Sequence, residues 1–191
     1  MLWAGIWISF ALLEVWDAIV RRDVQGLVNF ILHLQVALLF LIRQREKSRS
    51  QQKLAHLVAV ASTFYPYLYN FESRHAGLYH PLGPALTFMG SATCFAAMWS
   101  LGKCFGVLPI CRGVSTNYMY SFVRHPVYLS YILMDIGIVL AFPHRQNMAI
   151  FLAGLVLYML RIHYEEELLS SLSEYAEYRE RVRYRLIPGI Y

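Results

Sequence analysis

Apolar runs of membrane-spanning length alternate with short polar gaps along this chain. Residues 2–20 are apolar apart from Ser9, Glu14 and Asp17, and as a helix they would cross roughly 30 Å of hydrocarbon. Glu14 and Asp17 stand three apart and so share one helical face. That face reads as a polar seam towards other helices, or as an interfacial end. Arg21-Arg22-Asp23 predicts a turn, and residues 25–42 a second span interrupted by Asn29, His33 and Gln35. Polar groups at such depth should face neighbouring helices rather than lipid. Residues 54–71 predict a third span, with Pro66 placed to kink its far end. Glu72 to Pro81 predicts a loop carrying His75 and His80 at its surface. Residues 82–102 predict a fourth span, whose Gly83, Gly90, Ser91, Ala92, Ala96 and Ala97 let helices approach closely. Residues 127–142 and 148–160 predict a helical hairpin turned at Pro143-His144-Arg145-Gln146-Asn147. Both arms fall short of the roughly 20 residues of a full span, which implies tilt, shielding by protein, or extension into the flanking residues. The tail, 161–191, mixes five arginines with six glutamates and places tyrosines at 175, 178 and 184. It reads as a solvated or interfacial helix ended by Pro188-Gly189.

Composition agrees with this pattern. Of the 191 residues, 58% are hydrophobic and only 15% charged, where a soluble domain carries charge at about a quarter of its positions. The expected fold is therefore all-α: one polytopic integral-membrane helical bundle of five to six membrane segments, with a C-terminal cytoplasmic or interfacial helix. Residues 1–102 would supply the N-terminal helices and 103–191 the chemical core. The net charge of +5 matters less than its placement. Residues 43–53 hold five positive charges and one negative, which sets this gap in the cytoplasm by the positive-inside rule and both termini with it. An orientation signal is favoured there over an anionic-lipid site. No basic-aromatic stripe tracks a nucleic-acid backbone. The three cysteines, Cys94, Cys104 and Cys111, lack CxxC spacing and read as small apolar fillers. The N-terminus, without a basic n-region or small-residue cleavage site, reads as the start of the first span.

Chemistry concentrates in two places. Arg124-His125-Pro126-Val127-Tyr128 stands at the start of the fifth apolar run, and Arg161-Ile162-His163-Tyr164-Glu165-Glu166 follows the sixth. Polar groups beside hydrocarbon are costly unless something binds them. A hairpin between the two clusters returns both to one membrane face. Pro126 biases His125 away from helix, so a span should begin just after it. Arg161 lies four residues before Glu165 and shares a helical face with it. Paired acids beside arginine suit a ligand carrying both an ammonium and a carboxylate. There is no Gly-rich phosphate loop, HExxH or convincing Ser-His-Asp set, and His33 has no second histidine at i+4, so no metal is expected. An interfacial anchor with a salt-bridged tail stays an open alternative on these residues alone.

In its motifs the chain resembles the isoprenylcysteine carboxyl methyltransferase and phospholipid methyltransferase superfamily. The resemblance rests on Arg124-His125-Pro126-Val127-Tyr128, then 36 residues, then Glu165-Glu166. Leu101-Gly102-Lys103-Cys104-Phe105-Gly106-Val107-Leu108-Pro109 and the ending from Tyr175 to Pro188 look like small bacterial members, and the likeness covers roughly 100–191. One departure stands before the motif, where many relatives have Gly-Pro-Tyr-Arg and this chain has Tyr118-Met119-Tyr120-Ser121.

The resemblance implies an enzyme of the inner bacterial membrane that uses S-adenosylmethionine on its cytoplasmic side to methylate a lipid-like or small hydrophobic acceptor. An isoprenylcysteine carboxylate is the acceptor type the family suggests. By position, His125, Pro126, Val127 and Tyr128 would line the donor pocket, with Tyr120 and the loop Arg112, Gly113, Val114 and Ser115 beside it. Glu165 would take the donor's ammonium, supported by Glu166. Arg161 would orient the acceptor, and His125 would act as base for an amine or hydroxyl acceptor. Two other readings compete: a non-catalytic lipid-binding or scaffold protein derived from the family, and a nicotinamide-dependent membrane reductase.

Overall fold

The computed structural model describes residues 2–21, 24–71 and 81–190. It is an all-α bundle. The helices are α1 (Leu2–Arg21), α2 (Val24–Ile42), α3 (Lys53–Phe64), α4 (Leu82–Leu101), α5 (Pro126–Ala141), α6 (Arg145–Leu169) and α7 (Ser173–Arg181). Four of them, α1, α2, α4 and α6, are long and apolar enough to cross a membrane, and α5 is a shorter apolar helix. The protein is thus an integral membrane protein. The expected turn at Arg22 and Asp23, the Asp17 side chain, and the loop carrying His75 and His80 lie outside the described residues.

Two expectations need correction, and one left open is decided. The third span does not run unbroken over 54–71: α3 ends at Phe64 and passes into a 3-10 turn, Tyr65–Leu68. Pro66 has no N–H to continue an α-helix, so the chain tightens there instead of kinking. For the sixth run, of the three readings left open, extension into the flanking residues holds. The α6 helix has 25 residues, so the Arg161–Glu166 cluster sits inside it. Finally, the tail is not one surface helix. After α7 it continues as extended backbone that returns to the Arg124-His125 segment.

Helices α4 and α5 pack backbone to backbone. A Cβ placed on Gly90 would stand 2.8 Å from the Met134 nitrogen, and one on Gly137 would stand 2.6 Å from the Thr87 nitrogen. Absence of a side chain at both positions lets the helices close, as the run of small residues in α4 implied. Gly137→Val is therefore expected to lower stability by about 1–3 kcal/mol through overpacking. Gly5→Ala, with nothing within 4 Å of its added Cβ, should leave the thermal midpoint of the detergent-solubilised protein unchanged.

The basic gap also has structure. Ser48–Arg49 (β1) pairs antiparallel with Ile110–Cys111 (β2), and the Lys47 and Ser50 nitrogens donate to the Cys111 and Pro109 carbonyls at 2.8 and 3.0 Å. The gap holds down the loop between α4 and α5 besides carrying charge. His33 behaves as a packing residue in α2, its ring 5.4 Å from Trp7 and 5.8 Å from Phe10.

Candidate functional site

The α5–α6 hairpin brings the two polar clusters together. Pro126 opens α5, with His125 at the N-cap in a non-helical conformation (φ −130°, ψ 58°), as the pre-proline restriction implied. Glu166 projects from α6 into a buried hub. Its Oε1 accepts from Arg124 Nε at 2.9 Å and from His125 Nε2 at 3.1 Å, and its Oε2 accepts from Arg185 Nε at 2.9 Å. Arg124 also donates to the Val182 and Arg183 carbonyls at 2.9 and 2.6 Å. The Arg124 and His125 backbone nitrogens donate to the Tyr184 and Arg185 carbonyls at 2.9 and 2.8 Å. One carboxylate thereby ties the motif, α6 and the returning tail into a single unit.

Glu165 points the other way, into a cavity of about 510 Å³, within the roughly 300–1,000 Å³ range of small-molecule pockets. Its Oε1 accepts from the Tyr128 hydroxyl and, at 3.2 Å, from Arg161 Nε. Among the described residues nothing donates to Oε2, and the side chain keeps 27% of its surface accessible. Arg161 is buried and engaged at every nitrogen. One terminal nitrogen reaches Ser62 Oγ at 2.9 Å and Thr63 Oγ1 at 3.2 Å, the other reaches the Val107 carbonyl at 2.7 Å, and the guanidinium lies 5.6 Å from the Tyr128 ring centroid. It ties α6 to α3 and to the α4–α5 loop while facing the cavity.

That loop forms another wall. Arg112 donates to the Gln44 carbonyl at 2.5 Å, and Ser115 Oγ to the Ser100 carbonyl at 2.7 Å. Gly113 adopts φ +139°, a conformation that favours glycine. Of the residues singled out from sequence, Arg112 to Ser115, Tyr120, His125 and Val127 line the cavity. Tyr128, Arg161 and Glu165 line it too, whereas Pro126 and Glu166 lie behind the wall.

Other lining residues escaped the sequence reading. Tyr175 and Tyr178 of α7 cover the cavity beside Tyr120, and Tyr178 Oη donates to the Tyr120 carbonyl at 2.7 Å. Their i, i+3 spacing in the tail was the available signal. Burial pushes the hydroxyls of Tyr120, Tyr175 and Tyr178 above their ordinary range, so all three are neutral walls at physiological pH. The Cys104 thiol also lines the cavity. Arg124 and Arg185, the cations of the hub, were visible in the sequence as charges but not as partners of Glu166.

The His-Pro helix start, the hydrophobic hairpin and the paired acid all fall within the stretch that the family comparison matches. Residues 84–171 match the isoprenylcysteine carboxyl methyltransferase (ICMT) family model. The family resemblance is thereby borne out, and the match supports a membrane methyltransferase of the ICMT kind. It begins within α4, earlier than the motifs alone had implied, and ends just after α6, leaving α1 to α3 and α7 outside. No curated protein matches the chain.

Proposed function

We propose that this protein, as one membrane domain over 1–191, transfers the methyl group of S-adenosylmethionine to an amphiphilic acceptor at the cytoplasmic face of a bacterial inner membrane. The observation that carries this reading is the open Oε2 of Glu165, set in the same cavity as His125, Tyr128 and the Arg112–Ser115 loop. A carboxylate with one oxygen already held by Tyr128 and Arg161 is oriented to receive an ammonium on the other. The aromatic walls from Tyr120, Tyr175 and Tyr178 suit a flat heterocycle. These groups fit S-adenosylmethionine, which would supply a methyl group already activated on a sulfonium.

The protein's own residues then have three tasks. Glu165 binds and orients the donor end, with Tyr128 and Arg161 fixing its rotamer. The α7 tyrosines exclude water from the reacting centre. His125 sits where it can take a proton. A carboxylate only accepts, so the contact with Glu166 places a proton on His125 Nε2, and in the neutral ring the lone pair is on Nδ1. An ionised carboxylate acceptor would need no base, whereas an amine or hydroxyl would surrender its proton to Nδ1. Methyl-labelled S-adenosylmethionine incubated with the purified protein and a bacterial lipid extract is expected to yield labelled, organic-soluble product. Label confined to the aqueous phase, from a folded sample that binds the donor, would contradict a lipid-like acceptor.

A further inference from the structure

The basic gap between α2 and α3 reads as an orientation signal in sequence, but the fold gathers part of its charge, with Arg112, around a second and smaller cavity. This cavity holds about 120 Å³, the space of about four waters, which admits a phosphate group and not a nucleotide. Arg43, Arg49 and Arg112 line it, with Glu46 the single carboxylate among the described lining residues. Arg49 already engages Glu46 at 2.7 Å, so the lining keeps positive charge in excess. Arg43 is held over the Phe40 ring, 4.6 Å from its centroid. Arg112 is 6% exposed. One of its terminal nitrogens donates to the Gln44 carbonyl, and its buried Nε has no partner. A Cβ on Gly106, which also lines the cavity, would stand 3.7 Å from that Nε, so the unpartnered donor lies in the cavity wall. Buried donors without a partner are rare and call for an explanation such as a missing ion. Burial first, then the Arg43 charge, depress the Arg112 pKa below its ordinary value, with Glu46 opposing and Arg49 adding to the effect. Guanidinium groups that repel one another in this way gain from an anion between them.

We propose that this cavity binds the phosphate of an anionic phospholipid, with Arg43, Arg49 and Arg112 as its donors. Guanidinium forks match phosphate oxygens. The surroundings select a lipid over a free phosphate ion. Trp3 and Phe40, at adjoining ends of α1 and α2, line the cavity with their rings stacked at 6.2 Å, and tryptophan at a helix end sits at headgroup depth. The end of α2 exposes Leu38, Leu41 and Ile42, an apolar face for acyl chains. Basic pockets between helix ends on the cytoplasmic side bind such headgroups, and the positive-inside rule sets this gap on that side. The excess of cations favours a lipid that is anionic overall over a zwitterionic one. Gly106, Val107 and Leu108 line both this cavity and the larger one. A bound lipid therefore braces the α4–α5 loop from behind, while Arg161 holds the Val107 carbonyl from the front. The site stands whether or not the larger cavity transfers methyl groups.

Native mass spectrometry of the full-length protein in detergent counts bound lipid directly. Short-chain phosphatidylglycerol, matched phosphatidylcholine and inorganic phosphate would be titrated into the wild type and three variants. Arg43→Gln/Arg49→Gln removes two donors from the cavity. Arg45→Gln/Lys53→Gln removes the same charge from the same gap, at residues that do not line the cavity. The wild type is expected to bind phosphatidylglycerol about tenfold more tightly than phosphatidylcholine, as for hydrogen bonds to charged groups. The Arg43/Arg49 variant should lose that preference and the Arg45/Lys53 variant should keep it. Glu46→Gln, which removes the cavity's anion, should bind phosphatidylglycerol more tightly than wild type, a gain that misfolding does not produce. Equal losses in the two double variants would overturn the site in favour of diffuse surface charge. No preference for phosphatidylglycerol in the wild type, or weaker binding in Glu46→Gln, would overturn it as well. Inorganic phosphate that displaces phosphatidylglycerol at equal concentration would overturn the lipid occupant and put a soluble phosphate in its place.

Discussion

Glu166→Ala is expected to be the most damaging single substitution in the chain, lowering stability by about 3–5 kcal/mol, the range for breaking a buried ion pair by deleting one partner. Glu166 is the single carboxylate shared by Arg124, His125 and Arg185. Arg124 keeps only 7% of its side-chain surface accessible, so water cannot replace the lost partner. Against a total stability of about 5–15 kcal/mol for a typical domain, the change is large. The damage should spread to the tail. With Arg124 unpaired, its bonds to the Val182 and Arg183 carbonyls and the strand-like contacts of 184 and 185 lose their anchor, and α7 lifts from the cavity. Thermal unfolding in detergent should show a lowered midpoint, and limited proteolysis should show earlier cleavage near residue 182. Glu166→Gln, which keeps acceptor geometry without charge, should fall between. A midpoint equal to wild type for Glu166→Ala would remove the hub from the account.

Glu165→Gln is expected to act on binding instead of folding. The amide oxygen can still accept from Tyr128 and from Arg161 Nε, and Arg161 keeps its contacts with Ser62, Thr63 and Val107. What disappears is the negative charge on the oxygen that faces the cavity. Losing a charge-assisted bond to an ammonium corresponds to roughly 10- to 100-fold in affinity. S-adenosylmethionine should therefore bind the variant that much more weakly, with its thermal midpoint little changed. The two neighbouring glutamates thus make opposite predictions, because one faces the cavity and the other the hub.

Much of the frame was readable from the sequence because each helix buries or exposes its own local pattern. The runs at 2–20, 25–42 and 82–102 became α1, α2 and α4 within two residues, and Pro126 marked the start of α5. The small residues of α4 marked the closest helix pair. Errors arose where polar residues lie inside a helix. Residues 161–169 look like the end of a span by hydropathy, yet α6 continues through them because Arg161, Glu165 and Glu166 are satisfied inward by the cavity and hub, while His163 and Glu167 are exposed. Contacts distant in sequence left no local trace. The return of residues 182–185 to Arg124 and His125, the pairing of Ser48–Arg49 with Ile110–Cys111, and the Tyr65–Asp135–Tyr158 cluster all depend on packing that no single window encodes. Of the candidate site, the motif residues and Glu165, with Glu166 in support, could be named in advance, but the buried hub that Glu166 forms with Arg124, His125 and Arg185 could not.

The central claim is that the cavity holding Glu165, His125 and Tyr128 receives S-adenosylmethionine, and isothermal titration of the detergent-purified protein tests it most directly. Saturable micromolar binding of S-adenosylmethionine and S-adenosylhomocysteine is expected, weakened in Glu165→Gln and unaffected by a competing nicotinamide cofactor. A folded, monodisperse sample that binds neither ligand, or that binds the nicotinamide in their place, would contradict it.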